Sequence, residues 1–95
     1  MNLGFIGTGK IAAAVITGIC GSKINFNKIL ISPRNKIIST SLRKKFKNVI
    51  IAKNNQELID NCNWIFLSVT PQVGKKIIKD LKFNSNQTII SFIST

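Results

Sequence analysis

Residues 7–12 read Gly-Thr-Gly-Lys-Ile-Ala, and they carry the clearest chemistry in the chain. Two glycines one residue apart, with a small residue three further on, fit the G-x-G-x-x-G/A pattern of dinucleotide sites. Each position has a mechanical task. Gly7 permits a tight turn. Gly9 removes a side chain, so that a diphosphate can approach the backbone. Ala12 lets a helix pack closely on a strand. The N–H groups that open a helix have no intrahelical partner, and the helix dipole favours an anion there. Such a motif is weak by itself. It gains meaning here because an apolar run precedes it and a helical pattern opens at residue 9. The alternative is a glycine turn with no ligand.

The end of the second apolar run decides between cofactors. NAD-binding folds place a carboxylate there, which bonds the ribose 2′-hydroxyl. This chain reads Ile31-Ser32-Pro33-Arg34-Asn35 instead. A guanidinium pairs with a phosphate through charge-assisted, often bidentate bonds, and no carboxylate repels a 2′-phosphate. NADP(H) is therefore expected over NAD(H). Arg34 as a plain surface arginine is the alternative. Thr70-Pro71-Gln72 follows the fourth apolar run and is expected under the middle of the cofactor, on the carboxyl edge of the sheet.

Proton-transfer chemistry is missing. The chain has no histidine and no tyrosine. Its three carboxylates, Glu57, Asp60 and Asp80, fall in helical segments without pairing. No nucleophile stands with a base, so no catalytic residue is assigned. Cys20 and Cys62 are far apart with no histidine nearby, which makes no metal site. They read as reduced, buried thiols, as in the cytoplasm.

The elements that must position these residues follow from periodicity. Short apolar runs at 2–6, 28–31, 49–52, 64–69 and 88–93 read as strands. Helical spacing recurs between them. Residues 9–21 place apolar side chains at 11, 12, 15, 16 and 19, and Gly21 closes the pattern. Asn35 caps a helix that buries Ile38, Leu42 and Phe46 and exposes Arg43, Lys44 and Lys47. Asn54 or Asn55 starts a short helix through Leu58, Ile59 and Cys62. Pro71 suits the first turn of the next helix, which buries Val73, Ile77, Ile78 and Leu81. Regular β-α alternation with short links predicts an α/β fold: a Rossmann-type, doubly wound parallel sheet in the order 3-2-1-4-5. Residues 1–95 form one dinucleotide-binding domain, truncated after the fifth strand.

Composition bounds the rest. The chain is 44% hydrophobic and 18% charged, which is globular rather than disordered. A net charge of +11 raises the question of polyanions. However, the lysines are scattered, and no aromatic residues alternate with them as single-strand platforms require. Nucleic acid is not an expected partner. No apolar run reaches membrane-spanning length. Lys10 with the following IAAAVITGIC resembles a short export signal, yet Ile19 precedes Cys20 where lipoprotein processing wants a small residue, and no A-x-A-like site follows.

GFIGTGKIAAAVITG, ISPRN, NNQELIDNCNWIFLSVTPQ and IISFIST, in that order, resemble the N-terminal domain of pyrroline-5-carboxylate reductases, in a reductase-like branch with an SPRN segment. The resemblance spans nearly the whole chain. It implies NADPH-dependent reduction of a cyclic imine to proline. Carried over, Gly7, Thr8, Gly9, Lys10 and Ile11 hold the diphosphate. Ser32, Arg34 and Asn35 surround the 2′-phosphate, and Asn55 contacts the adenosine end. Val69, Thr70 and Pro71 lie beside the ribose and nicotinamide, with residues 91–95 close by. Two positions depart from the family: its lysine is Thr70 here, and its Ala-Ala-Gly loop reads Ile93-Ser94-Thr95. The family's C-terminal helical domain, which dimerises and supplies most of the imine site, lies outside these 95 residues. A homo-oligomer is expected only with it, and the 95 residues alone are expected to be inactive. Two alternatives stand: an NADP-dependent oxidoreductase of a hydroxy acid or a deazaflavin, and a dinucleotide-binding module without turnover.

Overall fold

Strands that are apolar on both faces need cover on both faces, and parallel strands obtain it from their crossover helices. A computed structural model describes residues 1–7 and 9–92 of the chain. Its elements alternate as β1 (Asn2–Ile6), α1 (Lys10–Cys20), β2 (Lys28–Ile31), α2 (Lys36–Lys45), β3 (Val49–Ile51), α3 (Asn55–Asp60), β4 (Trp64–Leu67), α4 (Pro71–Asp80) and β5 (Thr88–Ser91). The five strands are all parallel in the order β3-β2-β1-β4-β5, as the sequence predicts.

Two apolar layers sandwich this sheet. Leu3 and Phe5 point to one side and join Ala12 and Ile16 of α1 and Leu42 of α2. Ile6 joins Leu58 and Ile59 of α3 on the other side, with Ile77 and Leu81 packed around them. Phe5 and Phe66 face each other across the β1–β4 pair, with ring centroids 4.5 Å apart and planes 6° from parallel. Gly4 sits in the second layer, where a Cβ would lie 2.5 Å from Leu58 Cδ2 and 2.9 Å from Cys62 Sγ. The close approach of α3 to the central strand depends on that missing atom.

Three helices are capped by side chains. Asn35 accepts from Ile38 N–H, Asn54 from Glu57 N–H at 2.8 Å, and Thr70 from Val73 N–H. Asn54, rather than Asn55, is therefore the cap of α3. Asn35 has a left-handed backbone (φ 56°), which asparagine tolerates better than most residues. α3 is also tethered along its length. Gln56 exchanges two hydrogen bonds with the backbone of Lys82, and Gln87 donates to the carbonyls of Ile59 and Cys62.

The structure departs from the sequence pattern in the burial of two residues and in the length of a strand. Ile11 is 58% exposed, because α1 rests on Ala12 and Ile16 and turns Ile11 off that face. Ile78 is exposed on α4, whose inner face carries Ile77 and Leu81. The strand expected at 64–69 ends at Leu67, although Ser68 N–H still donates to Ile6 O at 3.0 Å. The last strand is described to Ser91 and residue 93 lies outside the described residues. Both cysteines are free thiols, Cys62 buried and Cys20 half-buried.

Gly4→Ala should lower stability by about 1–3 kcal/mol, the usual cost of overpacking a core, read as a lower urea midpoint at unchanged slope. A second expectation concerns alkaline pH. Burial pushes the Cys62 thiol up from 9.0 to about 12, with a Leu30 backbone hydrogen bond opposing in part. Between those values the unfolded chain gives up the proton and the folded chain keeps it. This contribution is complete below pH 9 and is lost as pH rises toward 12. In parallel denaturation series, Cys62→Ala should show a shallower alkaline decline than the parent chain.

Candidate functional site

The turn between β1 and α1 lies against the end of β4, and this contact shapes the site. Gly7 has φ +93°, a region that disfavours side chains. A Cβ there would also lie 2.5 Å from the Ser68 carbonyl oxygen and 2.6 Å from Val69 Cγ1. The Ser68 hydroxyl donates to Gly7 O at 2.9 Å and pins the turn to the neighbouring strand. Glycine is thus required at residue 7 by the protein's own packing.

Gly9 is different. Its backbone (φ −94°, ψ −169°) suits any residue, and a Cβ would meet nothing within 4 Å. The protein itself does not need glycine here. Gly9 is the N-cap of α1 and supplies no side-chain cap, whereas the other three helices each have one. The first turn closes when Ala13 N–H donates to Gly9 O at 3.0 Å. The N–H groups of Lys10, Ile11 and Ala12 precede that bond and have no carbonyl within the helix to reach. An uncapped, unencumbered helix start is what an anionic group requires.

Around it lies a cleft of about 320 Å³, lined by Gly7, Gly9, Arg34, Asn35, Ser68, Val69, Thr70 and Val73. It opens at the carboxyl ends of β1, β2 and β4, where ligands of open α/β sheets bind. Six of the residues expected from the sequence meet there: Gly7, Gly9, Arg34, Asn35, Val69 and Thr70. Ser68 joins them without having been singled out, as does Val73, which was expected only as an apolar face residue of α4. Lys10 and Ile11 are exposed on the first turn of α1, and Pro71 is exposed at the first position of α4. Ser32 is only 2% exposed and lies outside the cleft lining. Asn55 opens α3 beyond β3, and its Oδ1 is buried with no hydrogen-bond partner. Thr8 and residues 93–95 lie outside the described residues. A larger hollow of about 760 Å³ is walled by α2 alone. None of the residues expected from the sequence to hold a cofactor lines it, whereas six of them line the smaller cleft.

These residues fit a dinucleotide on three counts. Gly9 leaves open space before a bare helix start. The Arg34 cation shares that cleft. The orphaned Asn55 acceptor suits a hydroxyl donor. No acid or base joins them, for Glu57, Asp60 and Asp80 sit on α3 and α4. Among the described residues no cluster of His, Cys, Asp or Glu could hold a metal ion, and no helix is long and apolar enough to cross a membrane.

Known proteins resemble this chain in sequence and in fold. Pyrroline-5-carboxylate reductase 3 of Danio rerio is 32% identical over 82 residues, covering 85% of this chain and 28% of its own length. Pyrroline-5-carboxylate reductase of Arabidopsis thaliana is 27% identical over 93 residues, covering 95% of this chain and 33% of its own. The crystal structure of 1-pyrroline-5-carboxylate reductase from Streptococcus pyogenes superposes with a TM-score of 0.77 at 28% identity, over 99% of this chain and 34% of that one. The chain thus spans about a third of the length of these relatives. The family model described as NADP oxidoreductase, coenzyme F420-dependent, matches residues 2–95. A match that leaves only the first residue outside it carries a plain conclusion: this chain belongs to that family of NADP oxidoreductases.

Proposed function

We propose that residues 1–95 are the NADPH-binding domain of a reductase that acts on a cyclic imine of the pyrroline-5-carboxylate type. Family membership implies a nicotinamide dinucleotide cofactor. The observation that carries the finer reading is the pairing of Gly9, open and uncapped, with Arg34 in one cleft. A diphosphate fits before the start of α1, against the amides of residues 10–12. Lys10 and Ile11 belong to the same first turn of α1, and Thr8 stands between the two glycines in sequence. Arg34 and Asn35 then face the 2′-phosphate, with Ser32 beneath them, and Asn55 accepts from a hydroxyl of the adenosine ribose. Val69, Thr70 and Pro71 form the floor toward the nicotinamide.

When bound, NADPH supplies the hydride. The residues of this domain hold and orient the cofactor and add no proton donor to the cleft. Thr70 takes the place of a lysine in the reductases that the sequence resembles, and its hydroxyl accepts from Val73 N–H to cap α4. The floor is therefore uncharged at that position. Protonation of the imine falls to groups outside these 95 residues, in a helical domain that also dimerises. The setting is the cytoplasm, in proline biosynthesis. Thr70, together with the family description that names coenzyme F420, favours a second reading: a deazaflavin as the hydride partner.

Titration with both cofactors tests the first reading. The chain should bind NADPH more tightly than NADH, and equal affinities at moderate salt would refute the assignment. Arg34→Ala should weaken NADPH by about 1–3 kcal/mol, the range for hydrogen bonds to charged groups, and leave NADH nearly unchanged. Gly9→Ala should leave the thermal midpoint unchanged or higher and abolish dinucleotide binding, since its methyl group enters the diphosphate's space. Purified chain with NADPH and pyrroline-5-carboxylate should show no loss of absorbance at 340 nm, about the dihydronicotinamide maximum. Turnover would mean that a proton donor lies within these residues. Oxidation of NADPH by a deazaflavin but not by the imine would favour the second reading.

A further inference from the structure

The charges of this chain are divided unevenly between its halves. Residues 1–56 hold ten lysines and arginines and no carboxylate, while residues 57–95 hold four lysines and all three carboxylates. The fold turns this imbalance into a spatial one. Lys10, Arg34, Lys36 and Lys53 follow the carboxyl ends of β1, β2 and β3, and all four are exposed. They surround the edge on which the cleft opens.

Two of these lysines are badly placed for the helices that carry them. Lys10 is the first residue of α1 and Lys36 the first of α2, and neither helix has an acidic residue in its first turn. The positive end of a helix dipole disfavours a cation there and favours a carboxylate. α3 follows the usual arrangement, with Glu57 in its first turn accepting from Lys53 N–H. Local stability therefore accounts for the charge of α3 and not for the charges of α1 and α2. An anion approaching this edge would relieve both.

We propose that Lys36 and Lys53 are capture residues, which draw the phosphates of the cofactor toward the cleft without forming its floor. The proposal rests on the NADPH reading. NADPH carries one charge on each phosphate of its diphosphate and about 1.5–2 more on its 2′-phosphate. Along this edge four cations stand against the single carboxylate of Glu57, and an excess of one sign of charge speeds the arrival of such a ligand, by about 10–1,000-fold in the strongest cases. Exposed charges act over a Debye length of about 8 Å at physiological salt, so the effect lies in the association rate and fades as salt rises. Arg34 holds the ligand once it has arrived, and Lys36 and Lys53 act before contact.

Stopped-flow mixing of the full 95-residue chain with NADPH tests this, followed by energy transfer from Trp64, the sole tryptophan. The association rate constant should fall at least about 10-fold between low and high ionic strength, and NADH, lacking the 2′-phosphate, should show a shallower slope. The double variant K36Q/K53Q should associate several-fold more slowly at low salt, with an unchanged dissociation rate, and match the parent chain at high salt. K36E should slow association further and yet raise the thermal midpoint of the free protein, because a carboxylate suits the start of α2. A structural role for Lys36 would move both readouts in the same direction. Saturable binding with a rate indifferent to salt, or a loss confined to dissociation, would overturn the capture role and leave the NADPH reading standing. Failure of NADPH to bind at any salt would overturn both.

Discussion

The contact between the first strand-to-helix turn and the end of the neighbouring strand governs this molecule. Gly7 packs so closely on Ser68 and Val69 that no side chain fits between them, and the Ser68 hydroxyl holds the turn's carbonyl. α1 begins three residues after this contact, at Lys10, so the start of the helix stays beside the carboxyl ends of β1 and β4. If the turn were looser, the helix would begin elsewhere, and Arg34, Asn35 and Thr70 would no longer border the same space. The two glycines of the motif thus serve different masters. One satisfies the protein's own interior, and the other faces open space that a side chain could enter without meeting a neighbour.

Much of this architecture was legible in the residues. Strand positions followed from short apolar runs, since a strand covered on both faces has little need for polar residues. The order of strands followed from the early glycine turn and the handedness of crossovers. Caps were legible where only one candidate stood before a helix, as with Asn35. They were ambiguous where two asparagines adjoined, and side-chain geometry assigned the role to Asn54. Periodicity names the residues that could be buried, but it does not reveal how much helix surface meets the sheet. That is why Ile11 and Ile78 fell within helical patterns and yet remain exposed.

The cleft was legible to the extent that motifs carry chemistry. Gly7, Gly9 and Arg34 declare themselves through residue type and spacing. Ser68 does not, because a serine after an apolar run has no signature of its own. Its part depends on the register that pairs Ile6 with Leu67, which places the next serine beside Gly7. Ser32 shows the converse. Its position in sequence pointed to the cofactor's phosphate, and the structure leaves it 2% exposed and outside the cleft lining.

The uncapped start of α1 also gives the protein a clock. The amides of Lys10, Ile11 and Ala12 have no carbonyl in the helix to protect them, so they trade hydrogen for deuterium from solvent sooner than those further along. An anion seated on them would slow that isotope exchange at three adjacent residues and leave the sheet's protection as it was. Occupancy of the site could then be followed amide by amide, with no added label, in the backbone of the molecule itself.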